Sequence, residues 1–352
     1  MQSVLFIEKV FLHPVKKSPG GVELFNLSLL RDLAAMGCAV TVPAHRDWEP
    51  RMSQHAGNGR LEFIRLPGHF SDSAGGLAVL WKLRAHRFDL ALLGNVGDRL
   101  IPLLWMLRRL RLAPRLALIA HREPGARFIH ALRAMPTRVT AVNRQIAAHF
   151  TRGGIPAVKV EYGIIQAELF HPAAAAAPQS MVNFCVVGHL ERPWKGHATA
   201  VAAFGRLPPG IKENCRLHLA GFAQPPAFPD AGIIAYPWQP YTRVGEFLRR
   251  MDVMIVPSRD DRVMRETFSQ AAVQGMLTGL PLIVSNLPVL AEKLDQGGGL
   301  IFQDLNDLAD AMGRLAEDAP LRRRLGAQGR ATALARYVWN TQKFMDGLSV
   351  TP

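Results

Sequence analysis

Two stretches of this 352-residue chain place charged and polar residues at spacings that suit the handling of an anion, and a third adds a flexible turn. The first is Gly188-His189-Leu190-Glu191-Arg192-Pro193-Trp194-Lys195-Gly196, a glycine turn with three potential cations and a second glycine ahead of a helical pattern. Such a segment suits a pyrophosphate, since cations neutralise its charge and the start of a helix supplies free N–H groups. The second is the pair Glu266 and Gln274, eight residues apart. Glu266 falls in the turn after an expected strand and Gln274 about two turns into the helix that follows, where it shares a face with Gln270. A polar pair along one helix edge can hold two parts of an extended ligand. The third is Gly20-Gly21, in a strand-to-helix turn where backbone N–H groups can approach an anion. The surrounding Ser18–Glu23 lacks the G-x-G-x-x-G spacing of a dinucleotide fingerprint. Asp260-Asp261 lies between Arg259 and Arg262 and reads as a solvated loop, not a metal site.

The elements that must position these residues alternate in type. Short β-rich runs are expected at Ser3–Val10, Ala39–Pro43, Leu61–Leu66, Phe88–Leu93, Leu116–Ala120, Val139–Val142 and Val158–Tyr162. A helix opens at Gly20-Gly21 with Val22, Phe25, Leu29, Leu30 and Leu33 on its apolar face, and Gly37 ends it. Phe170-His171-Pro172 followed by Ala173–Ala177 and Pro178 reads as a linker. Beyond it the alternation restarts, with strands Val182–Val187, Leu217–Ala220, Gly232–Ala235, Val253–Val256 and Pro281–Val284, and with helices His197–Phe204, Val244–Met251 and Phe268–Leu277. Three helices close the chain: Leu305–Asp318, Pro320–Ala335 and Val338–Leu348. This is an α/β pattern of two Rossmann-like halves in tandem, a class that binds ligands at the carboxyl ends of parallel strands, here expected in a cleft between the halves.

Composition narrows the class. With 49% hydrophobic and 20% charged residues the chain is globular. No apolar run reaches the roughly 18 residues of a membrane span, and Lys9, Lys16 and Lys17 follow the first apolar stretch instead of preceding it as in a secretory signal. Three well-separated cysteines, Cys38, Cys185 and Cys215, exclude a disulfide framework and favour a reducing compartment. The formal charge of +14 is uneven: residues 1–172 hold 23 Lys and Arg against 12 Asp and Glu, a net of +11, and the remainder nets +3. The first half therefore suits an anionic partner. Its segment Leu100–Leu112 combines Leu103, Leu104, Trp105, Leu107 and Leu110 with Arg108, Arg109 and Arg111, as a helix lying at an anionic lipid surface would.

The motifs, in their order, resemble the retaining glycosyltransferase family 4, whose fold is GT-B. Glu266-Thr267-Phe268 through Gln274-Gly275-Met276 and Gly279–Val284 looks like its E-x7-E region. Gly20-Gly21-Val22-Glu23 is similar to its glycine turn, and His121 to the histidine after a strand of the first domain. Tyr162-Gly163-Ile164 through Phe170-His171-Pro172 resembles the interdomain N-G-[IV]-D…F-x-P segment, Gly188–Gly196 resembles G-R-x-x-x-x-x-K-G, and Val256-Pro257-Ser258 the P-S turn. Three positions depart from the pattern: Gln274 replaces the second glutamate, His189 the arginine, and Tyr162 the asparagine.

The resemblance implies two domains, 1–172 on the acceptor side, joined by a return helix within 338–352, and 173–337 for the nucleotide-sugar donor. It implies sugar transfer from a nucleoside diphosphate sugar with retention of configuration, without a cofactor or metal. The acceptor would be a glycan or a lipid-linked saccharide, in bacterial cell-surface polysaccharide or lipopolysaccharide synthesis, and the enzyme cytoplasmic, peripheral on the inner face of the membrane. Lys195 would stabilise the departing diphosphate, helped by His189 and Arg192. Glu266 would hold the donor sugar, Gln274 the ribose, and His121 would approach the sugar from the first domain. Gly20, Gly21, Gly188, Thr267 and Phe268 would complete the donor site. Two other readings are a GT-B nucleotide-sugar epimerase and a basic nucleic-acid-binding protein. The second lacks aromatic interleaving and any recognised binding module, so no nucleic-acid partner is expected.

Overall fold

The computed structural model describes residues 2–15, 20–56, 61–66, 81–95, 97–135, 137–156, 158–173, 181–260 and 266–349. Residues 16–19, Val96, residues 174–180 of the expected linker, Asp261 and Arg262 lie outside them.

The chain divides into two compact units, Met1–Ile165 with Trp339–Pro352, and Gln166–Val338. The first division falls ahead of the expected 172/173 boundary because the chain before Pro172 is already built into the second unit. Phe170 is 1% exposed there and meets the Tyr241 ring edge-on at 5.6 Å. The Leu169 carbonyl oxygen sits so close to Gly245 that any side chain at 245 would collide with it.

The first unit is a parallel seven-stranded sheet of β1 (Ser3–Ile7), β2 (Ala39–His45), β3 (Leu61–Leu66), β4 (Leu90–Leu93), β5 (Arg115–Ala120), β6 (Thr137–Ala141) and β7 (Lys159–Val160). Its spatial order is β3-β2-β1-β4-β5-β6-β7. The second unit is a parallel six-stranded sheet of β8 (Val182–Val187), β9 (Cys215–Phe222), β10 (Ile233–Pro237), β11 (Val253–Val256), β12 (Leu282–Ser285) and β13 (Gly299–Phe302), in the order β10-β9-β8-β11-β12-β13. Central strands are apolar throughout, since parallel sheets are covered on both faces: Leu90–Leu93 and Val253–Val256 are buried along their whole length. In each sheet the chain moves outward from the first strand, then crosses back to its other side. That reversal opens a crevice at the carboxyl ends of β1 and β4 in one unit, and of β8 and β11 in the other.

Several boundaries differ from the sequence reading. The first strand stops at Ile7, not Val10, because the Glu8 carboxylate accepts the Val10 N–H at 3.1 Å and turns Lys9–Leu12 into a 3-10 helix. Strand β13 was not expected, since Gly297-Gly298-Gly299 reads as a turn. The helix expected from Phe268 begins at Gln270, capped by Ser269, so Glu266 precedes the helix and does not start it. The last helix is Thr341–Ser349, held back by Asn340, whose side-chain oxygen accepts the Lys343 N–H at 2.8 Å. This helix belongs to the first unit. There the Trp339 N–H donates to the Ile164 carbonyl at 3.1 Å, its ring meets Phe25 edge-on at 5.1 Å, and Thr341 Oγ1 donates to Asp32 at 2.8 Å.

The helix expected at Leu100–Leu112 is shorter, and most of its apolar side chains turn inward. It spans Ile101–Arg109 and buries Leu103, Leu104 and Leu107 against its own unit. Only Trp105 (44%) and Leu110 (39%) of the five apolar residues are exposed. No helix among the described residues is long and apolar enough to cross a membrane.

Immediately after β1, at the reversal point of the first sheet, the side chain of Glu8 is fully buried. Asn26 Nδ2 donates to it at 2.7 Å, and Gly94 at the end of β4 lies so close that a Cβ there would come within 2.8 Å of the carboxylate. Burial, with a lesser push from Glu23, raises its pKa from 4.5 to about 7, against the hydrogen bonds of Val10 and Asn95 and the charge of Arg122. The folded chain therefore keeps a proton that the unfolded chain has released. The stabilisation is complete below pH 4.5 and is lost as pH rises through about 7. Urea titrations from pH 4.5 to 8 should show Glu8→Gln gaining about 3 kcal/mol on the wild type across that range. A difference independent of pH would show that Glu8 is ionised throughout.

Candidate functional site

The reversal point of the second sheet brings together residues far apart in sequence. The turn after β8 carries Gly188–Gly196, and the loop after β11 carries Pro257, Ser258 and Glu266. The two are stitched at the backbone, where Arg259 N–H donates to the Trp194 carbonyl at 2.9 Å. Gly196 makes the approach possible: it adopts φ +71°, and a Cβ on it would lie 1.8 Å from the Pro257 carbonyl oxygen. Gly221, at φ +137°, does the same on the other side, since a Cβ there would overlap the carbonyl oxygen of Gly188.

In this junction Lys195 Nζ donates to Glu266 Oε2 at 2.7 Å, with the two side chains 17% and 9% exposed. Ser258 Oγ adds a hydrogen bond to the same oxygen at 3.3 Å, and the Ser269 N–H donates to Glu266 Oε1 at 3.2 Å. The backbone of Glu266 is itself tied down, its N–H donating to Asp260 Oδ1 at 3.2 Å. Burial pushes the Glu266 pKa up, but the Lys195 charge and these hydrogen bonds outweigh it and hold the carboxyl below its ordinary range. The site thus contains a carboxylate held toward its ionised form and hydrogen-bonded to one ammonium. Ser269, which anchors the other oxygen, sits at φ +60°, an unfavourable conformation for a residue with a side chain. The loop is held in that shape from both ends.

A second cation, Lys293, lies near this pair and was not expected from the sequence. Lys293 is 2% exposed, in the short 3-10 helix Glu292–Leu294. Its ammonium stands 3.9 Å from the centre of the Phe268 ring and 4.5 Å from that of Tyr337, two rings that meet edge-on at 5.9 Å. Burial lowers its pKa to about 7, opposed by the charges of Glu292 and Glu266. Cation–π contacts help to hold an ammonium where water cannot reach it.

The remaining candidates are placed less uniformly. Gln274 is buried in helix Gln270–Leu277, and its backbone carbonyl accepts both the N–H and the hydroxyl of Thr278. The sequence aligned Glu266 and Gln274 along one helix edge, but only Gln274 is on the helix. His189 stacks on Trp238 at 6.4 Å, Arg192 is exposed, Thr267 is half-buried and Phe268 is 5% exposed beneath Lys293. In the first unit Gly20 precedes helix Gly21–Ala35 as its cap residue. His121 follows β5 and is 4% exposed, edge-on to Phe25 at 5.7 Å and to Tyr162 at 5.0 Å. Burial drops its pKa to about 3, so the ring is neutral, and its buried Nε2 has no hydrogen-bond partner among the described residues. Tyr162 thus packs in an aromatic cluster where the family pattern has an asparagine. Among the described residues no group of three or more His, Cys, Asp or Glu is arranged to hold a metal ion.

Comparison with known proteins agrees with this geometry. Residues 182–318 match the family described as Glycosyl transferases group 1. No curated protein sequence matches the chain. Among solved structures it resembles HepE of Anabaena in complex with UDP and glucose, at TM-score 0.73 and 15% identity over 100% of both chains. It also resembles WaaG, a glycosyltransferase involved in lipopolysaccharide biosynthesis, at TM-score 0.69 and 15% identity over 99% of this chain and 100% of that one. A glycosyltransferase of Rickettsia africae superposes at TM-score 0.77 and 13% identity, over 99% of this chain and 97% of that one. At these identities the structures speak for the fold. The chain has the GT-B fold, and its residues 182–318 match the group 1 glycosyltransferase family.

Proposed function

We propose that the protein transfers a sugar from a nucleoside diphosphate sugar to a glycan or lipid-linked acceptor, with retention of anomeric configuration and without a bound metal. The observation that carries this reading is the ion pair of Lys195 and Glu266, enclosed at the reversal point of a group 1 transferase domain. Departure of a nucleoside diphosphate places negative charge on the leaving group, and a preorganised cation stabilises that charge. Lys195 supplies it, with Arg192 and His189 alongside. Before the donor binds, Glu266 keeps the ammonium neutralised. When the diphosphate takes over Lys195, the Ser258 hydroxyl and the Ser269 N–H still hold the Glu266 carboxylate, which is then available to the sugar hydroxyls. Thr267 and Phe268 carry that loop onward, Gln274 serves the ribose, and Gly188 lets the backbone approach. In the first unit, Gly20, Gly21 and His121 are the residues that the family resemblance assigns to the donor.

The pathway we infer is bacterial cell-surface polysaccharide or lipopolysaccharide synthesis, at the cytoplasmic face of a membrane. HepE, solved with UDP and glucose, and WaaG, involved in lipopolysaccharide biosynthesis, support it by likeness. Arg108, Arg109 and Arg111 with Trp105 and Leu110 form the surface that meets anionic lipid, each basic residue contributing about 1 kcal/mol. Co-sedimentation with anionic vesicles, falling with salt, is required of it.

Transfer assays with a panel of nucleotide sugars, read by NMR at the new anomeric centre, test the reaction itself. The product should keep the donor's configuration, and Glu266→Gln should lower kcat at least about 100-fold, the cost typical of one positioned electrostatic group. An inverted product, or epimerised donor without transfer, would reject the reading.

Lys293 acts in this account as a positioning residue. Charged, it shares the field around Glu266; neutral, it leaves Lys195 as the nearest cation. Turnover should therefore bend near pH 7, and Lys293→Met should remove the bend while leaving activity at pH 8.5 within about threefold of wild type. An unchanged pH profile in the variant would show that Lys293 serves packing alone.

A further inference from the structure

Two aromatic side chains stand at the carboxyl end of the second sheet and not in its core. His189 comes two residues after β8, and Trp238 directly after β10, so the two rings flank the end of β9. Both are half-buried, whereas Phe184, Phe204 and Phe222 of the same unit are buried. The ring planes lie 21° from parallel with their centres 6.4 Å apart. Carbon atoms in contact are about 3.5–4.0 Å apart, so at this spacing the imidazole covers only part of the indole face. The chain fixes both rings from the backbone. The Trp238 N–H donates to the Phe222 carbonyl at 2.8 Å, which ties its loop to the end of β9. The Leu190 N–H donates to the Gly221 carbonyl at 3.1 Å, which ties the turn carrying His189 to the same strand end. Gly188, one residue before His189, is also the neighbour of Lys195: a Cβ on it would stand 3.7 Å from Lys195 Cδ and Cε. The aromatic pair and the ion pair of Lys195 with Glu266 thus lie on two sides of one glycine.

We infer that Trp238, backed by His189, is the shelf on which the base of the nucleotide stacks. The inference rests on the transfer reading above, which supplies a nucleoside diphosphate but leaves its base without a residue. In such a molecule the base and the diphosphate leave the ribose from opposite ends. A diphosphate at Lys195 therefore sends its base away from the cation, and the flat surface set beside the same turn is Trp238. Where the family pattern has an arginine, this chain has a ring lying nearly parallel to the indole. An indole serving only to close the end of the sheet would be buried with its neighbours, as Phe222 is at 5% exposure. Stacking of a base on an aromatic side chain is worth roughly 10- to 100-fold in affinity. Every base has a π-face, so the shelf supplies affinity without choosing among bases.

Fluorine NMR of the full chain labelled with 5-fluorotryptophan reads the contact directly. The chain has six tryptophans, and the Trp238 resonance is the one that Trp238→Phe removes. Saturating UDP should move it, and inorganic pyrophosphate should not. In calorimetry, Trp238→Ala should lose at least about tenfold in affinity for each of UDP, GDP and ADP that the wild type binds. Trp238→Phe should stay within about threefold of the wild type, and pyrophosphate should bind all three proteins within about twofold. If Trp238→Ala does not fold, the fluorine spectra of the wild type and Trp238→Phe decide. A Trp238 resonance that saturating UDP leaves in place or that pyrophosphate alone moves, or full nucleotide affinity in folded Trp238→Ala, would overturn the inference and leave the transfer reading standing. If the wild type binds none of the three nucleotides, the transfer reading falls and the inference falls with it.

Discussion

Two opposite charges withdrawn from water must neutralise each other, and the second unit is organised around one such pair. Lys195 and Glu266 are separated by 71 residues and meet at 2.7 Å. Leaving either one alone in that enclosure would be destabilising on the order of 3 kcal/mol. The surrounding features follow from this requirement. β8 and β11 lie side by side, so their following loops start together. Gly196 has no side chain to keep the Pro257 carbonyl away, and Ser269 takes an unfavourable backbone conformation from which its N–H reaches the carboxylate.

A neutralised pair is also a useful resting state for a site that receives a diphosphate. An unpaired buried lysine drifts toward its neutral form, as Lys293 shows a short distance away, where burial brings its pKa to about 7. Glu266 holds the Lys195 side chain at 2.7 Å, so the cation is in position when the anion arrives. The first unit handles the same problem differently. At its own reversal point Glu8 has the Asn26 amide and the Val10 N–H as donors and no ion-pair partner among the described residues, and burial raises its pKa to about 7. The two crevices thus share a topology but shift their carboxyl groups in opposite directions.

Much of this was legible in the sequence. Strand Val253–Val256 stands where a continuous apolar run put it, as a strand covered on both faces requires, and Leu61–Leu66 and Val182–Val187 also stand at their expected bounds. Lys195 and Glu266 were both singled out, each by its glycine- or proline-marked turn. Their direct contact was not legible, since it depends on which strands are neighbours. Lys293 was invisible because a lysine between Glu292 and Leu294 reads as solvated surface; only the packing of Phe268 and Tyr337 around it buries the charge. Glu8 was absorbed into an overlong strand, and β13 was hidden behind three glycines. At Leu100–Leu112 the hydrophobic pattern was legible but the share of it left at the surface was not, since leucines that face the unit's own interior have the same spacing as leucines that face outward.

The central claim is that Lys195 is the cation that meets the donor's diphosphate. Calorimetry of UDP and of uridine against the wild type and Lys195→Met, with the folded state of the variant checked by circular dichroism, separates the diphosphate from the nucleoside. The account predicts that the variant loses roughly 10- to 100-fold in UDP affinity, the span of one charged hydrogen bond, and keeps its affinity for uridine. Equal losses for both ligands, or none for UDP, would contradict it and return Lys195 to a purely structural partnership with Glu266.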